Sequence, residues 1–216
     1  MEWQLFEGVP QEEVQRVLSL ARRRRFARGE VVFHQDDLAD SVHLIVSGRF
    51  ASARRTPLGE DTLLSIHPAG DAFGELALVS ESTRAATVTA LEAGETMCVH
   101  RIDFDRLRVD HPSIDRMLVS LLAYRLRRMN ERLAEAFYEP ADRRVLRRLL
   151  ELGASYGEKE VPLTQEQLAS LAGTSRATVN AVLVRERKRG TITMRRGALA
   201  VVDRAAIARR AGLPST

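Results

Sequence analysis

The chain has 216 residues, of which 44% are hydrophobic and 29% charged, with a formal net charge of +4. That length suits two modest domains or one large one, the composition is that of an ordinary water-soluble protein, and no apolar run approaches the roughly 20 residues needed to span a bilayer. The single cysteine, Cys98, excludes an internal disulfide or a four-cysteine metal site, and Met-Glu-Trp-Gln does not start a signal peptide, so a cytoplasmic protein with no membrane partner is expected.

Residues 10–25 read as a helix, with Pro10 at a first helical position and Val14, Val17, Leu18, Leu20 and Ala21 as a loose apolar face. Arg22 to Arg25 then form a solvated basic helix end. From Phe26 to about Asp103 the pattern changes to short strands punctuated by glycine. The strands expected are 31–33, 42–46, 50–53, 62–66 and 96–99. Many short strands separated by turns indicate an antiparallel roll or barrel. The five histidines show no metal-ligand spacing.

Within this region stands Phe73-Gly74-Glu75-Leu76-Ala77-Leu78, followed after five residues by Arg84-Ala85-Ala86-Thr87-Val88. The acid can accept hydrogen bonds from vicinal hydroxyls, and the arginine fork can clamp a phosphate. Gly74, Ala85 and Ala86 let ligand atoms approach the main chain. The set forms a small cradle for a sugar phosphate.

A long helix follows, from about Pro112 to Phe137. Val119, Leu122, Leu126, Met129, Leu133 and Ala136 are spaced 3, 4, 3, 4, 3, which is a heptad seam. Ile114, Leu118 and Leu121 face elsewhere and can pack on the roll. The seam's natural partner is its own copy, which predicts a parallel homodimer. Tyr138-Glu139-Pro140-Ala141 breaks the helix and supplies a hinge. Asp142 then caps a new helix whose apolar residues are Val145, Leu146, Leu149 and Leu150. Residues 153–160 read as a polar connection and 161–163 as an extended piece.

Charge is unevenly spread along the chain. Residues 1–139 carry 18 Lys/Arg against 22 Asp/Glu, and residues 140–216 carry 15 against 7, giving −4 and +8. A near-neutral front and a basic back suggest a sensor joined to a polyanion binder. The basic part holds a helix-turn-helix pattern over residues 164–183. Thr164 and Gln167 form a capping box, Gly173 ends the first helix, and Thr174 or Ser175 starts the second, which buries Val179, Val182 and Leu183. Ser175, Arg176, Ala177 and Asn180 are left facing outward. Gln165, Thr174 and Thr178 complete the candidate DNA-binding positions. Residues 191–194 and 198–202 form a β-hairpin with a basic turn, and Lys188, Arg189, Arg195 and Arg196 are candidate phosphate contacts.

The Phe-Gly-Glu-Leu-Ala-Leu…Arg-Ala-Ala-Thr-Val segment resembles the phosphate-binding cassette of cyclic-nucleotide-binding domains, including those of protein kinase A regulatory subunits. With the helix-turn-helix, the whole chain resembles the CRP/FNR family of bacterial transcription regulators. The resemblance implies an α+β architecture: an N-terminal antiparallel, jelly-roll-like β-roll (1–111), a long dimerisation helix (112–137), a hinge (138–141) and a C-terminal winged helix-turn-helix domain (142–216). It implies that Glu75 binds a ribose 2′-hydroxyl and Arg84 a cyclic phosphate, with the backbone of Gly74, Leu76, Ala77, Ala85 and Ala86 completing the cradle. It further implies cAMP as an allosteric effector, a pseudo-palindromic duplex as target, RNA polymerase as a partner, and no enzymatic activity.

Departures from the family pattern bear on ligand and operator. An enteric activator of the family has serine at the place of Ala85, whereas protein kinase A regulatory subunits have alanine and still bind cAMP. The threonine that meets the guanine amino group in cGMP-dependent kinases is absent, which favours cAMP. The residues that would face adenine are Met129, which donates nothing, and Asn130, which can donate and accept. The family's common Arg-Glu pair of the recognition helix is Arg176-Ala177 here, and a further arginine one turn later is replaced by Ala181. Arginine suits guanine O6 and N7, but alanine cannot accept from cytosine. The competing expectation is a ligand-independent regulator of the same family with a vestigial cassette. An enzyme would need a nucleophile–base constellation, a phosphate loop or a metal cluster, and the sequence has none in recognisable form.

Overall fold

The computed structural model describes residues 3, 6, 10–56, 59, 61–79, 83–111, 113–157, 160–195 and 197–213. The chain divides into two compact units, Met1–Arg127 and Arg128–Thr216. No described helix is long and apolar enough to cross a membrane.

The first unit begins with α1 (Gln11–Leu20) and continues through eight strands: β1 (Arg22–Phe26), β2 (Val31–Phe33), β3 (Ser41–Ser47), β4 (Phe50–Arg55), β5 (Asp61–His67), β6 (Ala72–Phe73), β7 (Thr87–Ala90) and β8 (Gly94–His100). They form two four-stranded antiparallel sheets, ordered β1-β8-β3-β6 and β2-β7-β4-β5. Helices α2 (Arg101–Asp110) and α3 (Ser113–Tyr138) follow, the latter running into the second unit. The strands expected from the sequence are present, and the roll they build is jelly-roll-like.

Strand β3 explains how the roll is filled. Ser41 to Ile45 are all buried, because the strand is covered on both faces. Ile45 joins Phe26, Phe50, Phe73, Val88 and Ala90 in a cluster drawn from both sheets. Val42 and Leu44 point the other way, into a cluster with Val17 of α1, Phe104 of α2 and Ile114, Leu118 and Leu121 of α3. The strand period of two thus separates a core between the sheets from a core under the helices.

Several boundaries differ from expectation. The N-terminal helix stops at Leu20, with Pro10 at the N-cap, and Arg22–Arg25 form strand β1 rather than a solvated helix end. Their backbone pairs with β8 in register from Arg22 opposite Cys98 to Phe26 opposite Gly94. An edge strand keeps its charged side chains in water, and Phe26 anchors its end edge-on against Phe50 at 5.7 Å. Strands β6 and β7 and helix α2 were not anticipated. Pro112, the expected start of the long helix, lies outside the described residues; α3 is helical from Ser113.

The second unit contains α4 (Ala141–Tyr156), α5 (Gln165–Ala172), α6 (Arg176–Lys188), β9 (Ile192–Arg195), β10 (Ala198–Val201) and α7 (Arg204–Arg210). Pro140, not Asp142, is the N-cap of α4, and Asp142 lies in its first turn, where its carboxylate accepts from Arg143 N–H at 2.9 Å. Residues 153–156 are helical instead of forming a polar connection. Gly153 permits this: a Cβ there would lie 3.1 Å from a methyl of Val201, so the missing side chain lets β10 approach the helix. Gly157, at φ 62°, lies just past the helix end. Helix α7 was not anticipated; it buries Ala206 and Ile207. The bridge between Val161 and Leu199 bears out the extended piece at 161–163.

Candidate functional site

The cassette lies in the first unit. Phe73 ends β6 inside the core, stacked on the His43 ring at 5.1 Å. Gly74 then adopts the left-handed conformation, φ 79°, and a single 3-10 turn, Glu75–Leu78, buries Ala77 and Leu78 while leaving Leu76 exposed. Two constraints require glycine at residue 74. An L side chain is strained at that φ, and a Cβ would lie 2.7 Å from Nη1 of Arg84 and 3.0 Å from the Ser41 oxygen.

Arg84 is only 4% exposed. Its Nη1 donates to the Ser41 main-chain oxygen at 2.6 Å and lies 3.5 Å from the Gly74 oxygen. Nη2 donates to Ser41 Oγ at 2.9 Å and to Asp40 Oδ1 at 3.2 Å. The guanidinium lies 4.0 Å from the centroid of the Phe33 ring. Burial pushes the Arg84 pKa below its ordinary value, while Asp40 pulls it back up; from so high a starting point the group stays charged. Nε is buried and lacks a hydrogen-bond partner among the described residues. A buried charged donor without an acceptor is costly, and an anionic oxygen would relieve that cost. The residues present therefore fit a phosphate group. Ala85 is exposed and Ala86 half-buried beside it.

Glu75 is half-buried, and its Oε1 lies 3.6 Å from Nε of Arg125 on α3. Arg125 also donates from Nη2 to Asp71 Oδ1 at 3.1 Å and to the Ala72 oxygen at 2.5 Å. Burial alone would raise the Asp71 pKa, but the hydrogen bond and charge of His67 and the Arg125 charge hold it below the ordinary carboxylate value. Asp40, Ser41, Asp71 and Arg125 escaped the sequence reading. Arg125 lies one helical turn before Met129, but nothing in the sequence tied it to a loop 54 residues earlier.

On α3 the six seam positions are accessible: Val119, Leu126, Met129, Leu133 and Ala136 are exposed and Leu122 is half-buried. Asn130 is exposed as well. The other face behaves as expected, with Ile114, Leu118 and Leu121 buried.

In the second unit Thr164 accepts from Gln167 N–H and Gln167 reaches back to Thr164 N–H, a complete capping box. Gly173, at φ 58°, ends α5, and Ser175 caps α6 by accepting from Thr178 N–H at 3.1 Å. Val179, Val182 and Leu183 anchor α6, while Arg176, Ala177 and Asn180 face solvent on its first turns. Gln165 donates to Asn180 Oδ1 at 3.3 Å, so the two helices present one continuous polar edge. Thr174 and Thr178 are half-buried. A groove of about 450 Å³ runs between this edge and the β9–β10 wing, with Arg176 and Arg195 on its lining. Lys188 is exposed, Arg189 is paired with Glu186 at 2.8 Å, and Arg195 is paired with Glu160. Arg196 lies outside the described residues.

Residues 23–111 match the cyclic nucleotide-binding domain model, and residues 143–210 match the Crp-like helix-turn-helix domain. The "CRP-like cAMP-activated global transcriptional regulator" of Mycobacterium tuberculosis is 32% identical over 214 residues, covering 96% of each chain. The chain belongs to the CRP/FNR family of transcription regulators. The crystal structure of the Thermus thermophilus catabolite activator protein, 33% identical, aligns over 97% of this chain and 99% of that one with a TM-score of 0.56. The c-di-GMP responsive regulator CLP of Xanthomonas campestris, 20% identical, aligns over 89% of this chain and 99% of its own at a TM-score of 0.73, a likeness of fold alone. In this CRP/FNR chain the first unit carries the nucleotide-binding domain and the second the DNA-binding one.

Proposed function

We propose that this CRP/FNR regulator acts as a homodimer whose operator binding is controlled by a cyclic nucleotide, with cAMP as the effector. The observation that carries the reading is the Arg84 guanidinium, buried against Gly74 with an Nε that has no hydrogen-bond partner among the described residues. Glu75, one residue from Gly74, supplies the acceptor for a ribose hydroxyl. The cAMP-activated relative from M. tuberculosis, alike over nearly the full length, supports the same effector.

Binding in this scheme is an exchange. The ligand phosphate accepts from Arg84, whose bonds to Ser41 and Asp40 loosen, and the ribose accommodates Glu75, whose contact with Arg125 is redrawn. Because Arg125 belongs to α3, the exchange reaches the helix that carries the exposed seam. A ligand preferring one arrangement of α3 shifts the population toward it, and DNA favouring the same arrangement tightens ligand binding reciprocally. A second copy of α3 is the proposed cover of the seam, and Met129 and Asn130 the proposed adenine-facing residues. Arg176 is the proposed reader of guanine, with Gln165, Asn180 and the wing arginines positioning the backbone.

The alternative, a regulator that needs no ligand, draws on one observation: Arg84 already makes several bonds within the chain. Calorimetric titration of the full chain with cAMP and cGMP separates the two. Micromolar or tighter cAMP binding with weaker cGMP binding supports the proposal, and no heat with either nucleotide supports the ligand-independent form.

A further inference from the structure

A chain of polar side chains runs from the interior of the roll to the cassette. His67 ends β5 and is 7% exposed. Its Nε2 lies 2.9 Å from Ser52 Oγ on β4 and 2.8 Å from Ser65 Oγ on β5. Its Nδ1 lies 2.8 Å from Asp71 Oδ2. An ionised carboxylate only accepts, so Nδ1 carries the proton of that bond. The other oxygen of Asp71 accepts from Ala72 N–H at 2.8 Å and from Arg125 at 3.1 Å. Arg125 in turn faces Glu75.

The order of contacts is therefore Ser52 and Ser65, His67, Asp71, Arg125, Glu75, all within the first unit. Every member except Arg125 lies on the roll or the cassette. Asp71 is the pivot: one oxygen points into the roll and the other toward α3. A carboxylate left without its His67 partner loses one of the bonds that fix its terminal torsion, which is broad, and is held by Ala72 N–H and Arg125 on one oxygen alone. Arg125 would then face a less firmly aimed acceptor, and Glu75 a less firmly placed cation.

We infer that His67 is a positioning residue that aims the Asp71 carboxylate at Arg125, and so fixes both the seat of α3 on the cassette and the placement of Glu75. It touches no ligand. The inference rests, for its ligand arm only, on Glu75 being the ribose acceptor. Second-layer partners of this kind orient metal-binding histidines in the same manner: the outer hydrogen bond decides where the inner group points. The sequence alone did not single out His67.

Three substitutions separate positioning from bulk. His67→Phe keeps the ring volume and removes the Nδ1 donor. His67→Asn places an amide N–H near the Nδ1 position and keeps it. His67→Gln reaches toward the serines and leaves Asp71 without that donor. The full chain, without ligand, is compared by amide hydrogen exchange over 114–127, with β2 and β7 as internal control, since His67 itself bonds Ser52 on β4 and Ser65 on β5. His67→Phe should speed exchange in 114–127 about tenfold, the weight of one charge-assisted hydrogen bond, while β2 and β7 remain protected. His67→Asn should restore the slow exchange, and His67→Gln should not. Unchanged exchange in His67→Phe, equal acceleration of β2 and β7, or indistinguishable Asn and Gln variants would each overturn the inference. Should His67→Phe not fold, the Asn–Gln contrast still decides.

The ligand arm is a double-mutant cycle read by cAMP titration. His67→Phe should weaken cAMP about tenfold in the parent chain and far less in an Arg125→Met background, where the path is already cut. Equal weakening in both backgrounds removes the path from His67 to Glu75. A parent chain that binds no cyclic nucleotide rejects the proposed effector instead, and the exchange measurement then decides the role of His67.

Discussion

Nη1 of Arg84 donates to the main-chain oxygen of Ser41 at 2.6 Å. The cassette base is thereby tied to the start of β3, the strand on which both cores of the roll are built. A phosphate drawing Arg84 toward itself acts on that strand and on Asp40, and not on a loose surface loop. In the proposed scheme the cassette's response to ligand would be set by these competing partners as well as by the ligand's own contacts.

Gly74 should tolerate no side chain. Gly74→Ala combines an unfavourable left-handed φ with a Cβ 2.7 Å from Arg84 Nη1, at a cost of about 1–2 kcal/mol for the backbone alone. The variant should melt several degrees lower and bind cAMP at least tenfold more weakly, as read by thermal denaturation and calorimetry. Parental affinity in a folded variant would show that Arg84 does not need this close approach.

Acid should weaken the second unit through Glu186. The carboxylate is 2% exposed and bonded to Arg210, Arg189 and Thr191. Burial alone would raise its pKa, but those hydrogen bonds and the Arg210 charge hold it below the ordinary 4.5. The sign follows from linkage. A carboxylate depressed in the folded state stabilises fully above its unfolded pKa, and the contribution is lost as pH falls through the folded value. Stability measured by denaturant titration should fall between pH 5 and the acid limit at a slope that Glu186→Gln reduces. Identical slopes would mean that Glu186 titrates alike in both states.

The seam on α3 should hold two copies together. Leu126 is 54% exposed in the single chain, in line with Val119 and Leu133. Leu126→Lys places a charge in a heptad core and should give monomers at micromolar concentration by sedimentation velocity. A variant that stays dimeric would move the interface to another surface.

Arg176 and the wing should contribute different kinds of affinity. A parallel dimer presents two α6 helices to half-sites about one helical turn, roughly 34 Å, apart. Arg176→Ala should flatten the preference at one position of each half-site in random-site selection, worth about 1–3 kcal/mol of discrimination. Arg195→Ala should weaken all sequences alike and lower the salt slope by about one per subunit. Full parental preference in Arg176→Ala would remove α6 as the reader.

Much of the fold and the outline of both sites could be read from residue patterns because their signals are local. The capping box of Thr164 and Gln167, the left-handed Gly173 and the apolar anchors of α6 lie within twenty residues of one another. The heptad period of α3 is likewise local. What escaped depends on distant pairing. Arg22–Arg25 carry no alternation of their own and become a strand through backbone bonds to β8, some 70 residues on. Gly153 looks like a helix end until Val201 is placed against it. Glu75 and Arg84 were visible as chemical types, but their partners Arg125 and Asp40 are joined to them only by the fold.

The most direct test of nucleotide control measures affinity for a selected palindromic operator by fluorescence anisotropy, with and without saturating cAMP, in the parent and in Arg84→Leu. In the parent, cAMP should tighten DNA binding by roughly 5- to 150-fold, the usual span of allosteric coupling. Arg84→Leu should bind the operator at the ligand-free level whether or not cAMP is present. Equal operator affinity of the parent with and without cAMP would contradict control by this cyclic nucleotide and leave a DNA-binding regulator that works without it.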